Sequence, residues 1–296
     1  MDEQPSRNRS LVPVAGLAVV VLAATAVGFW PEGQEPATAT PVASASAAVV
    51  PAVPLTPSEQ VHATLAAQVR ALVAGDEAGW LASVDGRLRT RYRTMFRNLR
   101  ALEITTADAG IADKLTAKGD TMTGRVGLSY CFSGIECPAY RQDPGAGAPK
   151  IINTVTWTFR NGSWVITKAV AADVGNPLQP APWESTRLTV AAGKRVIVAG
   201  PESQATNVKR VLRLAEKAAV VADRYAVTMN NPQNRYRIYL ADNKAYSTWY
   251  SGSRPPWSVG YQVSLNGIDG DIVLKSGKVL PENDQEVTEI IQHEMG

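Results

Sequence analysis

Asn153 to Ala171, NTVTWTFRNGSWVITKAVA, reads as two strands of alternating polar and apolar residues around Asn161-Gly162, a pair suited to the positive-φ positions of a two-residue hairpin. Thr121 to Phe132 alternates in the same way and is expected to be a further strand of one meander. Upstream the period changes: Val61, Leu65, Val69, Leu72 and Val73 recur at helical spacing from Ser58, and that helix can end at Gly75. Ala78 to Val84 and Leu88 to Leu102 read as two more helices. Helices first and a meander afterwards is an α+β order.

Composition sets limits. With 296 residues, 45% hydrophobic and 19% charged, and with two cysteines, the chain can bury ordinary cores without a disulfide scaffold. A net charge of +3 is too small for the basic face that nucleic acid requires, so no nucleic-acid partner is expected. His62 and His293 are the two histidines, so these residues cannot complete a metal site built from several imidazoles. No internal repeat marks a solenoid or propeller.

Leu11 to Trp30, LVPVAGLAVVVLAATAVGFW, carries no charge and as a helix would span about 30 Å, the thickness of a bilayer's hydrocarbon. Arg7 and Arg9 precede it and Glu32 and Glu35 follow. The expectation is a single-pass cell-membrane anchor at 11–30, with 1–10 cytoplasmic and the bulk of the chain extracytoplasmic. The small-x-small triplet Ala24-Thr25-Ala26 leaves a cleaved signal peptide open, which would make the protein secreted. Residues 31–57, rich in Ala, Pro and Thr, read as a disordered tether.

Within 58–174, Cys131 and Cys137 close a short loop, and outside the cytoplasm they are expected to form a disulfide. A redox role is disfavoured, because the spacing lacks the CxxC geometry that tunes thiol acidity. Arg89, Arg93, Arg97 and Arg100 fall along one face of the third helix, either meeting anionic polymers or headgroups or forming a solvated face with local ion pairs. His62, in the first turn of the first helix, is expected to face solvent. The helix-then-meander order, with Ala74-Gly75-Asp76-Glu77-Ala78-Gly79-Trp80 between the first two helices and the Trp-rich final hairpin, resembles the nuclear transport factor 2-like superfamily. That resemblance implies a cone-shaped sheet with helices closing a pocket, and an accessory domain without chemistry of its own.

Pro177, Pro180 and Pro182 read as a linker at 175–184, and a new unit as 185–296. Thr186 to Val190, Arg195 to Ala199, Arg235 to Leu240, Tyr261 to Leu265 and Asp271 to Leu274 read as strands, Glu202 to Tyr225 as a long amphipathic helix and Asp242 to Trp249 as a short one. The last stretch is PENDQEVTEIIQHEMG, 281–296, where Asn283 and Glu286 can cap a helix with Val287, Ile290 and Ile291 inward. His293-Glu294-Met295-Gly296 holds four of the five positions of HExxH, in which two histidines one turn apart grip Zn2+ and the glutamate acts as general base. The alternative is an ordinary amphipathic helix with a surface His-Glu pair.

On those residues 185–296 resembles the N-terminal half of a zincin-like α+β domain, of the peptidase MA-like gluzincin kind. The resemblance implies His293 as a metal ligand, Glu294 as the catalytic base, and Asp271, Ile272, Val273 and Leu274 as the edge strand that holds an extended peptide substrate. The second histidine would stand directly after Gly296, and the third ligand has no counterpart in these residues. Zn2+ is therefore expected in a longer form and not on these residues alone. The functional expectation is the N-terminal part of a membrane-anchored extracytoplasmic zinc metallopeptidase, inactive as the sequence stands. Its rival is a non-catalytic, envelope-attached binding protein acting through the middle domain's pocket.

Overall fold

The computed structural model describes residues 54–134, 137, 147–229, 233–251, 254–265 and 270–296. The expected cytoplasmic segment, the transmembrane helix and most of the tether lie outside them. Among the described residues no helix is long and apolar enough to cross a membrane.

Three helices open this part: α1 Pro57–Ala74, α2 Glu77–Leu81 and α3 Arg89–Ala101. α1 begins where Thr56 and Glu59 cap each other's backbone, and it ends where Gly75 takes a φ of 78° and donates back to Ala71 and Leu72 carbonyls. The strands β1 Ile104–Ile111, β2 Thr116–Lys118, β3 Thr121–Phe132, β4 Lys150–Arg160 and β5 Ser163–Ala171 follow. They form an antiparallel sheet in the order β1-β3-β4-β5, with β2 also on β3. Asn161 and Gly162 turn the β4–β5 hairpin at φ 50° and 80°, as their residue types dictate. Val61, Leu65, Leu72, Trp80, Phe96 and Leu99 of the helices bury against Val126, Ile151, Val155 and Ile166 of the sheet.

The second half runs β6 Leu188–Ala192, β7 Val196–Pro201, α4 Ala205–Thr228, β8 Tyr236–Ala241, α5 Asn243–Thr248, β9 Gly260–Ser264, β10 Gly270–Lys275, α6 Ser276–Val279 and α7 Asp284–Met295. Its sheet has the order β6-β7-β8-β10-β9, with β7, β8 and β10 parallel and the outer two strands antiparallel to their neighbours. Alternate residues of the three parallel strands go to opposite cores. Val196, Val198, Ile238, Leu240, Ile272 and Leu274 pack beneath α4 and α7. Ile197, Ala199, Tyr239, Ala241 and Val273 join the core of the first half. The class is α+β, and the two halves share a core.

Three features depart from the sequence expectations. β1 and β2 were not anticipated: most of ITTADAGI is exposed or half-buried, so no apolar alternation marks it. Asp271 to Leu274 is not an edge strand. β10 is hydrogen-bonded to β8 on one side and β9 on the other, and the outer strands of the sheet among the described residues are β6 and, beside β10, β9. Residues 175–184, read as a linker, carry Ala181, Pro182, Trp183 and Glu184 fully buried. The Trp183 ring meets Tyr130 edge-on at 5.0 Å, and the Asn98 amide of α3 donates to the carbonyls of Trp183 and Thr186 while accepting from Leu188 N–H. Proline repeated here fixes a bend that is packed rather than solvated.

The expected disulfide joins Cys131 and Cys137, with Cα atoms 5.6 Å apart. Beyond it, Glu103 and Ser133 of the first half hold the guanidinium of Arg235, which also donates to the Gly193 carbonyl of the second.

Candidate functional site

α7 starts at Asn283, whose side chain accepts from the N–H groups of Gln285 and Glu286 at 3.0 and 3.1 Å. Val287, Ile291 and Met295, spaced one turn apart, fix the rotation of the helix by burying against α4 and the sheet. That rotation leaves His293 exposed and carries Glu294, half-buried, to the first residue of β9. A Cβ on Gly260 would lie 2.6 Å from Glu294 Oε1, so the carboxylate packs directly against the backbone of this glycine.

β9 turns part of its main chain outward. Lys275 N–H donates to the Val259 carbonyl at 2.8 Å, and the register pairs Gly260 with Leu274 and Gln262 with Ile272. In an antiparallel ladder bonded and non-bonded pairs alternate, so Val259, Tyr261 and Val263 face β10 while Gly260 and Gln262 direct their N–H and C=O groups to the free side. The Gly260 carbonyl accepts from Ser258 Oγ at 2.9 Å, and that hydroxyl lies 2.6 Å from the Tyr246 hydroxyl. Burial holds the Glu294 carboxyl above its ordinary range, with the neighbouring His293 acting the other way. Burial also raises the Tyr246 phenol, and the charge of Glu294 adds to it.

The structure therefore brings Glu294 and an edge strand together, but the strand is β9. Asp271 of β10 is engaged elsewhere: it accepts from Arg237 Nε at 2.8 Å and from the Tyr250 hydroxyl at 2.5 Å, wholly buried. Ile272, Val273 and Leu274 are buried to either side of the sheet. Among the described residues no group of three or more His, Cys, Asp or Glu side chains is placed to hold a metal ion. The zinc site implied by the gluzincin resemblance finds a single imidazole on α7, and that donor set by itself does not fit a catalytic Zn2+. Gly260, Ser258 and Tyr246 were missed by the sequence reading. Their signal is spatial, since nothing local to Gly260 marks it as the seat of a carboxylate from α7.

A second concave feature lies in the first half, where α1, α2 and α3 cover the sheet. A cavity of about 50 Å³, room for a few water molecules, lies among Leu65, Trp80, Met95, Leu128 and Val155. Its polar lining is Gln68, whose amide donates to the Trp80 carbonyl, and Asn153, whose Oδ1 is buried with no hydrogen-bond partner.

No family model matches the chain, and no curated protein matches it. Solved structures are similar to part of it. A protein of unknown function from Mycobacterium tuberculosis is 14% identical over 39% of this chain and 70% of that one, with a TM-score of 0.30. A nuclear transport factor 2-like protein of unknown function from Shewanella oneidensis is 12% identical over 40% of this chain and 100% of that one, at 0.30. The intermembrane-space region of the chloroplast protein ARC6 is 16% identical over 38% and 92% respectively, at 0.27.

Proposed function

We propose that the second half is the N-terminal part of a gluzincin-type zinc metallopeptidase, carried outside the cytoplasm on a membrane anchor, with a nuclear transport factor 2-like domain ahead of it. The observation that carries this reading is the seating of Glu294, a half-buried carboxylate with raised proton affinity, against the exposed edge of β9. In this reading His293 is the first metal ligand and Glu294 the general base. The outward N–H of Gly260 and main chain of Gln262 pair with an extended peptide, so the edge-strand role passes from Asp271–Leu274 to Gly260–Ser264. The remaining ligands would follow Gly296.

The test begins with the coding sequence past Gly296, which should continue with a histidine and later an acidic ligand on another helix. In the natural full-length protein, His293→Ala should then lose zinc, whereas Glu294→Gln should keep zinc and lose peptide cleavage. A stop codon directly after Gly296 removes the reading.

One observation favours a second reading, a binding protein working through the first half. The unpaired Asn153 Oδ1 inside an apolar cavity suits a small apolar ligand with one N–H or O–H donor. Such a ligand should raise the melting temperature of the wild type but not of Asn153→Leu.

A further inference from the structure

Two residues of the basic stripe of α3, Arg93 and Arg97, line a groove shared with the second half of the molecule, while Arg89 and Arg100 donate to the Val84 and Val73 carbonyls of the first. Thr90, Arg93, Thr94 and Arg97 stand at i, i+3, i+4 and i+7 and share one face of the helix, with Arg187, Leu188 and the carboxylate-bearing Glu202 also lining the groove. Between the two sides is a cavity of about 240 Å³. We propose that this groove binds a phosphate-bearing group, held by the guanidinium groups of Arg93, Arg97 and Arg187.

Arg93 and Arg97 each give Nε to the single carboxylate of Glu77, at 2.8 and 3.1 Å. Arg187 gives Nη2 to Glu202 at 3.0 Å. A guanidinium has five N–H donors in a planar fork, so one carboxylate fixes the orientation of two arginines through Nε and, among the described residues, both pairs of terminal Nη groups make no further hydrogen bond. Three guanidinium groups against two carboxylates leave the groove net positive. The Thr90 and Thr94 hydroxyls lie on the same lining and add neutral donors.

A tetrahedral oxyanion can accept from several forks at once, so one phosphate can bridge guanidinium groups on both sides of the groove. The groove is short and the chain's net charge is only +3, which suits one phosphate group and not a nucleic-acid backbone. The same chemistry occurs in soluble phosphorylated molecules and in phosphodiester headgroups or polymers. The groove is built from α3 and the residues that lead into β6, and does not depend on α7.

Calorimetric titration of the full chain decides it, with sodium pyrophosphate as one probe and glycerophosphoglycerol, a soluble phosphodiester headgroup, as the other. Saturable binding of either at low ionic strength is expected, weakened about tenfold by Arg97→Gln and by Arg187→Gln. Because Arg187 lies outside α3, the two variants guard against a simple loss of the helix, and thermal melts monitor the fold of each. Preference for pyrophosphate points to a soluble phosphorylated ligand, and preference for the diester to an envelope headgroup; both support the site. Failure of both probes to bind at millimolar concentration, or binding unchanged in both variants, overturns it.

Discussion

Glu294 is a residue whose charge works against the fold. Burial raises its proton affinity, so the folded chain holds that proton more tightly than the unfolded chain does. Its contribution to stability is therefore intact below the ordinary carboxylate value of about 4.5 and is lost as pH climbs above it. Glu294→Gln should melt higher than the wild type at pH 7, and the difference should vanish near pH 4; a difference independent of pH would count against a desolvated carboxylate. Asp271 is the contrasting case, buried but fully engaged by Arg237 and Tyr250. Asp271→Ala removes the carboxylate that the buried Arg237 guanidinium donates to, and urea unfolding should register a loss of about 3–5 kcal/mol. The His-Glu dipeptide was legible because an i, i+1 pair on a periodic helix is a local pattern. The glycine under Glu294 was not, because what singles it out is a contact made across the fold.

At the level of elements, those with strong periodicity were readable and those defined by their neighbours were not. β3 and β5 fall where alternation put them, and α4 and α7 where apolar residues recur each helical turn. β1 escaped notice because as an outer strand it buries little, and the edge role went to β10 because sequence order does not reveal strand order. Local chemistry at helix ends is more dependable. Asn283→Ala removes the acceptor of two N–H groups at the start of α7 and should cost about 1 kcal/mol in thermal or urea unfolding. Serine at the same position should restore most of it. If alanine is neutral there, α7 is held by its buried face alone.

For the whole molecule, the informative segment is the one that composition made look loose. A Pro-rich stretch reads as a tether because proline breaks periodicity, and nothing in its own sequence tells that Trp183 is enclosed by Tyr130 and by the amide of Asn98. With a common core and a buried joint, residues 54–296 should unfold in a single calorimetric transition whose van't Hoff and calorimetric enthalpies agree. Two resolved transitions would mean that the halves are independent after all. β7, β8 and β10 have no face left for solvent, and this bears on inheritance. Recombination that replaced one half with that of a distant relative would set foreign side chains against Ile197, Tyr239 and Val273 at once, so the two halves are bound to drift as a single lineage.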